Sequence, residues 1–567
     1  NTAVGSSAGT SITTGSYNVA MGVDTLSTLS TGDNNTALGK GALAAATTSD
    51  DNTAVGKDAL AANTTGTENS ALGTSALATN TTGRENDASG RKALFANTTG
   101  SYNTASGATA LATNTTGANN TAHGYRALYL NTTANNNTAV GMNALYANTT
   151  GGSNTASGHS ALRSNTTASN NTASGYQALY NNTTGANNAA VGREAMLSNT
   201  TGASNVAFGS TSLDANTTGS FNTALGQASL GANTTASNNT AVGYASLTAN
   251  TTGAGNSAFG INSLLSNTTG TANNAFGSGA LDANTTGAQN VAIGQASLGA
   301  NTTADNNTAV GYLALTANTT GTSNAAVGAY ALDANTTGSS NTAVGKSSLG
   351  ANTTGSDNTV LGFEALLVAT TATGNTAVGK NAGKAITTGT ANTFLGGGAG
   401  DSTDDGNYNT AIGSGALSAN CGNSNVAIGT SAAIACTGAS NTVMGTNSGY
   451  ALTSGGNNLF IGLDSGRTGS PGGNITTGSN EIVLGDENIT EAHIQVDWTV
   501  ASDARDKTDF TALDLGLDFV KDLQPVTYKW DKRSKYGDKS AEDYDLNAQT
   551  PDGTHKEDWL DIGFKAQ

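Results

Sequence analysis

Residues 52–68 read "NTAVGKDALAANTTGTE", and the next 17 residues, 69–85, read "NSALGTSALATNTTGRE". The same pattern recurs along most of the chain. Asn stands at every seventeenth residue from Asn1 to Asn409, which makes 25 repeats without an insertion or a deletion. We number the positions of each repeat from this Asn, so that Gly occupies position 5 throughout. A period this strict is the sequence signature of a stacked repeat architecture.

The end of the array is also visible in the sequence. After Asn409 the spacing shortens to 16, at Asn425 and Asn441. A last clear repeat begins with "NLFIG" at 458–462, and "EIVLG" at 481–485 has the pattern of a terminating repeat. Disordered low-complexity segments tolerate slippage because nothing in them stacks. The fixed length therefore predicts that each repeat is one coil lying on its neighbours.

The composition of one repeat favours β structure. Seventeen residues are too few for a helix pair, and Asn, Thr and Gly are poor helix formers. Short pieces such as "TAV" and "SAL" predict very short strands, with Gly and "NTTG" as corners. We therefore predict two short strands and two turns in each coil of a parallel β-solenoid. With coils stacked about 4.8 Å apart, roughly 28 coils would make a rod of about 130 Å.

The repeat positions also indicate where the core lies. Position 3 is Ala almost throughout, with Val360 and Phe394 as exceptions, so we expect a place where no larger side chain fits. Position 9 is usually Leu, whereas position 4 accepts Val55, Leu72 and Phe208. Small side chains bury little area, at about 25 cal/mol per Å², while ordering a residue costs about 1–2 kcal/mol. A single solenoid of this kind would be marginally stable, and we expect it to associate into an oligomer.

The repeats resemble a known family. The stretches "NTAVG" (52–56), "NVAFG" (205–209), "NNAFG" (273–277) and "NVAIG" (425–429) are similar to the head repeats of trimeric autotransporter adhesins. The resemblance covers residues 1–485 and implies a left-handed parallel β-roll of three chains side by side. The 17-residue coil is longer than is usual in that family, so the "NTTG" half should form an enlarged corner.

The composition changes near residues 486–501. Residues 501–567 carry 15 Asp or Glu and 10 Lys or Arg, and all three Trp lie late in the chain. Leu513, Leu517 and Val520 have helical spacing, so the sequence predicts a helix over 509–523 and a strand over 525–530.

Three ordered motifs in this tail carry a second resemblance. "SDARDK" at 502–507, "LDFVKDLQPVTYKW" at 517–530 and "IGFKAQ" at 562–567 resemble the intramolecular chaperone of phage tailspikes and fibres, a self-cleaving endosialidase-type peptidase. The stretch at 489–501 is similar to the segment leading into such domains. The resemblance implies a small α+β domain that drives trimer assembly. The family continues beyond the Ala-Gln motif, so we expect the domain at 502–567 to be partial.

The chaperone resemblance implies specific catalytic residues. The cut would fall between Ala501 and Ser502, with Ser502 as nucleophile and Lys507 as base. A Ser hydroxyl is a weak nucleophile that needs a neighbouring base, and Lys serves only when burial lowers its pKa. Alternatively, Ser502 caps a following helix and Lys507 is solvated. We predict a solenoid at 1–485, a connector at 486–501, and no activity on external substrates.

Several residue groups admit both a functional and a structural interpretation. The Asn-Thr-Thr sequons, such as those at Asn63 and Asn97, are glycosylation acceptors or corner residues repeated by the period. Cys421 and Cys436 fall at nearly equivalent places in adjacent coils. They either form a disulfide or are two small buried side chains. Six Tyr residues could form a sugar-contacting strip or be scattered over the surface: Tyr102, Tyr125, Tyr129, Tyr146, Tyr176 and Tyr180.

Metal and cofactor sites are not expected. His123 and His159 lie in different repeats without obvious partners. Asp401, Asp404 and Asp405 make either a Ca²⁺ loop or a solvated turn. The net charge of −17 argues against nucleic acid and anionic membrane as ligands. No run of about 20 apolar residues is present to span a bilayer.

The function that these observations favour is structural. We expect a homotrimeric fibre of a phage tail or virion appendage, outside the cell. Its partners would be other tail or baseplate proteins and a host-surface receptor, with a glycan as one candidate. A secreted bacterial adhesin is the main alternative, and an ice-binding solenoid is another because stacked Thr can form a regular array. A polysaccharide-degrading spike would need paired carboxylates in a cleft, which the repeats do not show.

Overall fold

The computed structural model describes residues 1–493, 525–529, 536, 548–556, 558 and 561–564. The repeats form 29 short parallel strands of one sheet. Their bounds are β1 Thr2–Val4, β2 Val19–Met21, β3 Thr36–Leu38, β4 Thr53–Val55, β5 Ser70–Leu72, β6 Asp87–Ser89, β7 Thr104–Ser106, β8 Thr121–His123, β9 Thr138–Val140, β10 Thr155–Ser157, β11 Thr172–Ser174, β12 Ala189–Val191, β13 Val206–Phe208, β14 Thr223–Leu225, β15 Thr240–Val242, β16 Ser257–Phe259, β17 Asn274–Phe276, β18 Val291–Ile293, β19 Thr308–Val310, β20 Ala325–Val327, β21 Thr342–Val344, β22 Thr359–Leu361, β23 Thr376–Val378, β24 Thr393–Leu395, β25 Thr410–Ile412, β26 Val426–Ile428, β27 Thr442–Met444, β28 Leu459–Ile461 and β29 Ile482–Leu484.

The strands stack in the register that the repeat dictates. Each pairs in parallel with the next one along the chain, position for position, so that Ala54 lies beside Ala71 and Ala88 beside Ala105. The predicted parallel β-solenoid is therefore confirmed, including the terminating strand β29.

The prediction of two strands in each coil is wrong, because only one three-residue strand forms. After the strand, positions 7 and 9 have left-handed backbone conformations, as at Asp58 (φ 55°) and Leu60 (φ 49°), which prevent an extended chain. The turn residues still bond to the next coil, since Leu60 N–H donates to the Ala76 carbonyl at 3.0 Å. Stacking thus satisfies the backbone without a second strand.

The interior of a coil is formed by small and polar side chains. In the coil at 52–68, Asn52, Ala54, Ala59, Leu60 and Asn63 are all completely buried. The thin core predicted from positions 3 and 9 is confirmed. Two of the five columns are Asn, which can be buried only when its amide is hydrogen-bonded.

The Gly at position 5 explains why the repeat accepts no substitution there. Gly56 has φ 135°, and a Cβ added to it would lie 2.6 Å from the carbonyl oxygen of Gly73 in the next coil. A side chain would therefore clash with the stack as well as strain the backbone.

Position 3 does accept a large side chain when position 9 becomes Gly. Phe394 is completely buried, and a Cβ on Gly383 or Gly400, both at position 9, would lie within 2.8 Å of its ring. Phe460 has the same relation to Gly466. The expectation that nothing larger than Ala fits at position 3 is thus wrong for these coils. There the Leu at position 9 is replaced by Gly, and the Phe ring at position 3 fills the space that the Leu side chain would occupy.

The chain divides into two compact units, residues 1–490 and 491–567. In the second, β30 (Pro525–Tyr528) pairs antiparallel with β31 (Asp561–Phe564). The predicted helix at 509–523 lies outside the described residues. The strand predicted over 525–530 begins at Pro525 and ends at Tyr528. The described residues contain no α-helix. Among them, therefore, no helix is long and apolar enough to cross a membrane.

Candidate functional site

The predicted cleavage site lies outside the part of the chain that the structure describes. Ala501, Ser502 and Lys507 all fall there. Their assignment as scissile residue, nucleophile and base therefore stays a prediction, and the candidate functional surfaces described next belong to the solenoid.

Two ladders of Asn side chains run through the solenoid. At position 1, Asn69 donates its backbone N–H to Oδ1 of Asn52 at 3.0 Å and its side-chain amide to the Gly83 carbonyl at 2.9 Å. At position 12, the Asn80 amide donates to Asn63 Oδ1 at 2.8 Å and to the same Gly83 carbonyl at 2.9 Å. The Gly at position 15 thus joins the two ladders.

The position-12 ladder decides the interpretation of the sequons. Asn63 and Asn97 are completely buried, and the Asn97 amide nitrogen donates to both Asn80 Oδ1 and the Gly100 carbonyl. A glycan could not reach this nitrogen in the folded coil. The Asn-Thr-Thr sequence is a corner element, as the structural interpretation proposed.

The adjacent Thr residues form a second regular column. At position 13 the hydroxyl of Thr64 donates to the Thr81 carbonyl of the next coil at 3.0 Å, and Thr81 does the same to Thr98. These hydroxyls are engaged inside the stack. Within the Asn-Thr-Thr corners only the Thr at position 14 remains as an exposed column, which weakens the case for a flat ice-binding array built from these corners.

Beyond the Asn segment of the position-12 column, Cys436 is buried at position 12 and Cys421 is buried at position 13 of its shorter coil. Both are buried, free thiols. The Thr403 hydroxyl lies 3.2 Å from Cys421 Sγ, and the Asn441 amide donates to Cys436 Sγ at 3.4 Å. Burial raises the pKa of the Cys436 thiol to about 11. The pair is therefore described as two small buried side chains.

The candidate metal residues serve other contacts. His159 stacks on Tyr176, with ring centroids 5.4 Å apart. Asp404 accepts a hydrogen bond from the Thr387 hydroxyl, and its N–H donates to Asn420 Oδ1 at 2.9 Å. Over the described residues, no three His, Cys, Asp or Glu are grouped so as to hold a metal ion.

Five of the six Tyr residues are aligned rather than scattered. Tyr125 and Tyr176 share position 6, whereas Tyr129, Tyr146 and Tyr180 share position 10. Tyr129 and Tyr146 are stacked at 5.4 Å with rings 7° from parallel. Of the two alternatives, five of the six Tyr lie in two columns rather than scattered, whereas Tyr102 lies apart at position 17; contact with a sugar stays a hypothesis.

Arginines complete the aromatic columns. The Arg126 guanidinium lies 5.0 Å from the Tyr125 ring and 5.7 Å from the Tyr129 ring. Arg163 occupies position 10 itself and lies 5.5 Å from the rings of both Tyr146 and Tyr180. It also donates a hydrogen bond of 2.9 Å to the Tyr180 hydroxyl. Position 10 thus reads Tyr, Tyr, Arg, Tyr in four successive coils, with cations packed against the rings.

Sequence reasoning missed a charge pattern that was readable from the sequence. Residues 88–193 contain five Lys or Arg and no Asp or Glu, on a chain whose net charge is −17. We call these five cations the cationic belt: Arg91, Lys92, Arg126, Arg163 and Arg193. Counting charges per repeat rather than per chain would have found it.

A second surface is formed by the outward side chains of β1–β29 at positions 2 and 4, which we call the strand face. Position 4 carries no Asp, Glu, Lys or Arg in any of the 29 strands, and position 2 carries only Asp87. Several of its apolar side chains are exposed, such as Phe208 at 58% and Ile293 at 42%. Phe259 and Phe276 stack at 4.7 Å.

The strand face changes character along the fibre. Position 4 is apolar in β1–β5 and without interruption from β12 to β29. Between them it is mainly polar: Ser89, Ser106, His123, Val140, Ser157 and Ser174. These strands, β6–β11, lie in the stretch of coils that contains Arg91, Lys92, Arg126 and Arg163 of the cationic belt.

Comparison with known proteins identifies one part of the chain. Residues 502–567 match the sequence pattern of a peptidase family described as the chaperone of endosialidase. No curated protein and no solved structure gave a match. A long β-solenoid followed by such a chaperone match has the make-up of a phage-fibre-like protein.

Proposed function

We propose that this chain is the shaft of a homotrimeric fibre on a phage tail or virion appendage. The fibre projects from the virion and attaches to the host surface. Its C-terminal chaperone assembles the three chains and is then released by cleavage between Ala501 and Ser502. The observation that carries the proposal is the exposed apolar strand face. It occurs in a chain whose residues 502–567 match the chaperone family.

The strand face supports association of several copies. Soluble monomers rarely expose contiguous apolar patches larger than a few hundred Å². Eighteen consecutive strands, β12 to β29, present apolar side chains at position 4. At about 4.8 Å per strand they make a stripe of roughly 85 Å. A second and third copy laid against it would remove this surface from water.

The chaperone match supports the number and the mode of assembly. Because the coils are alike, two parallel solenoids can pack side by side in many registers, each shifted from the next by one coil. Assembly has to select one of these registers. A domain that joins three C-termini first would select the correct register. Loss of that domain after assembly would leave a fibre that is trapped kinetically rather than held only by equilibrium stability.

The proposed cleavage assigns roles to two residues. Ser502 attacks the carbonyl carbon of Ala501, and Lys507 accepts the hydroxyl proton. The proton then passes to the leaving amine of Ser502, and water hydrolyses the ester that forms. This chemistry requires a neutral Lys507, which burial in the assembled chaperone would favour.

The mass of the purified full-length product under native and denaturing conditions tests the proposal. We expect a native mass three times the denatured mass, a denatured chain ending at Ala501, and rods in electron micrographs. A native mass equal to that of a single chain would contradict the fibre. A dimer would contradict the assigned symmetry.

A further inference from the structure

We infer that the cationic belt binds an acidic polysaccharide, a sugar chain bearing carboxylate groups, which lies along the fibre axis. The inference rests on the proposed function, because it names the class of host-surface molecule that the fibre would attach to. It follows from the placement of charges and aromatic rings in the coils from the one that begins at Asn86 to the one that contains Arg193.

The belt cations are regularly spaced. Arg91 and Lys92 belong to the coil that begins at Asn86, and the later cations belong to coils that begin 34, 68 and 102 residues further on. A cation therefore appears at every second coil, about 10 Å apart along the axis. A polysaccharide with a carboxylate on every sugar would bring roughly every second carboxylate to a belt cation.

The belt cations are available to a ligand. In the part of the chain that the structure describes, Arg193 pairs with Glu194 at 3.1 Å, whereas Arg91, Lys92, Arg126 and Arg163 form no ion pair. Aromatic rings hold three of them in place, since Lys92 lies 5.2 Å from the Phe95 ring centroid. A guanidinium has five N–H donors, so one that packs against a ring still has N–H groups that can donate to a carboxylate.

The aromatic columns favour a sugar over a nucleic acid. The faces of Tyr129 and Tyr146 are covered by one another and by the guanidinium groups of Arg126 and Arg163. Bases that bind to protein aromatics need an open ring face for stacking. These rings instead offer edges and hydroxyl groups, which suit the hydroxyl-rich surface of a sugar.

The charge density also disfavours nucleic acid. Double-stranded DNA carries one charge per about 1.7 Å, which is about six in the interval between belt cations. One or two cations per interval would neutralise few of these phosphate charges. The acidic side chains elsewhere on the chain would repel the phosphates that remain. A polysaccharide with one carboxylate per sugar carries fewer charges in the same interval than DNA and therefore matches the belt better.

Binding of sodium alginate, a carboxylated polysaccharide, to the assembled full-length fibre tests the inference. Dextran serves as the neutral sugar, and polyphosphate and a DNA oligonucleotide serve as polyanions. We expect alginate to bind and dextran not to bind, with affinity falling as salt is raised. The double variant Arg126→Gln/Arg163→Gln should lose at least tenfold in alginate affinity, and Arg126→Lys/Arg163→Lys should recover part of it.

The control is Lys346→Gln/Lys380→Gln. It removes the same charge at two cations that are also two coils apart, and Lys380 lies 6.0 Å from the Phe363 ring. This variant should bind alginate as the wild type does. An equal loss in both double variants would overturn the location, and polyphosphate or DNA binding as tightly as alginate would overturn the ligand class.

Native mass distinguishes the two possible failures. A fibre that assembles but does not bind alginate overturns this inference and leaves the proposed assembly standing. A chain that remains monomeric overturns the proposed function itself. The native mass of each variant also shows whether it has folded and assembled before its binding is compared.

Discussion

The side-chain amide of Asn80 donates a hydrogen bond of 2.8 Å to the side-chain oxygen of Asn63, one coil below. The same contact repeats in every coil up to Asn352, which donates to Asn335. Beyond it the column becomes apolar, at Ala369 and Ile386. The oxygen of Asn352 consequently has no donor, so the ladder has a defined end.

Position in the ladder sets the cost of losing an Asn. In the middle, Asn199→Ala removes a donor to Asn182 and an acceptor for Asn216, which should destabilise the fold by about 1–3 kcal/mol. Asn352→Ala removes donors to Asn335 and to the Gly355 carbonyl but no acceptor, because Asn352 Oδ1 has no donor, and it should cost less. Thermal unfolding followed by circular dichroism measures both.

The control for the ladder is Thr201→Ala, an exposed position-14 side chain in the same coil as Asn199. It should unfold at nearly the wild-type temperature. Equal losses for Asn199→Ala and Asn352→Ala would show that the ladder does not act as a chain of paired amides.

Glycine at position 5 should be irreplaceable, whereas glycine at position 10 should not. Gly209 has φ 142°, and a Cβ there would lie 2.5 Å from the Gly226 carbonyl oxygen. Gly209→Ala should therefore cost well over about 1 kcal/mol. At Gly231 the atom nearest to an added Cβ is the Ala228 carbonyl oxygen at 3.3 Å, so Gly231→Ala should change the free energy of unfolding by less than about 1 kcal/mol. Chemical denaturation of both variants decides the point.

Charges on the strand face should prevent assembly. The triple variant Phe259→Glu/Phe276→Glu/Ile293→Glu places like charges at the same height in each copy, where symmetry brings them together. We expect its native mass to shift toward the single chain. Native mass spectrometry or analytical ultracentrifugation measures the shift.

A matched triple variant separates the strand face from charge in general. Thr269→Glu/Thr286→Glu/Thr303→Glu adds the same charges to the same three coils at exposed position-14 side chains. Its assembly should match the wild type. Dissociation of this variant, or persistence of the trimer in the strand-face variant, would contradict the proposed interface.

Two partly buried carboxyls should make the fibre less stable as pH rises. Burial raises the pKa of Asp282 and Asp333 above the ordinary value of 3.8. The folded state therefore binds these protons more tightly than the unfolded state, and stability falls as pH rises through the window that begins at 3.8. Asp282→Asn/Asp333→Asn should unfold at a slightly higher temperature at pH 7, with the gain vanishing below about pH 3.8.

The control for the carboxyl prediction is Asp357→Asn, which removes an exposed charge. Thermal scans from pH 3 to pH 7 compare the variants, and the effect should be small because solvent screens half-exposed groups. A gain that persists at acid pH would mean that these carboxyls are not its source.

Replacement of either proposed cleavage residue should leave the chaperone attached. Ser502→Ala and Lys507→Gln should both give a denatured mass that includes residues beyond Ala501, whereas Lys521→Gln should be processed like the wild type. The measurement is denaturing mass spectrometry. Unchanged processing of Ser502→Ala would refute the nucleophile assignment.

Much of the fold followed from the repeat alone. The period, the stacking axis, the buried Ala at position 3 and the buried Leu at position 9 are readable because each position lies over itself in the next coil. Each repeat position has the same surroundings in all 25 repeats. The residue type that recurs at a position therefore indicates whether that position is buried or exposed. The chaperone motifs at 502–567 were readable for a different reason, since they match a family pattern.

The tertiary structure decided what the letters leave ambiguous. Left-handed residues such as Asp58 and Leu60 turn the second half of each coil away from a strand, although its hydropathy would suit one. Burial of Asn63 depends on a partner 17 residues away, and the alignment of Arg163 with its rings depends on three coils together. A polar side chain becomes a core residue or a surface site only when the stack supplies or withholds its partners, and no single repeat contains that information.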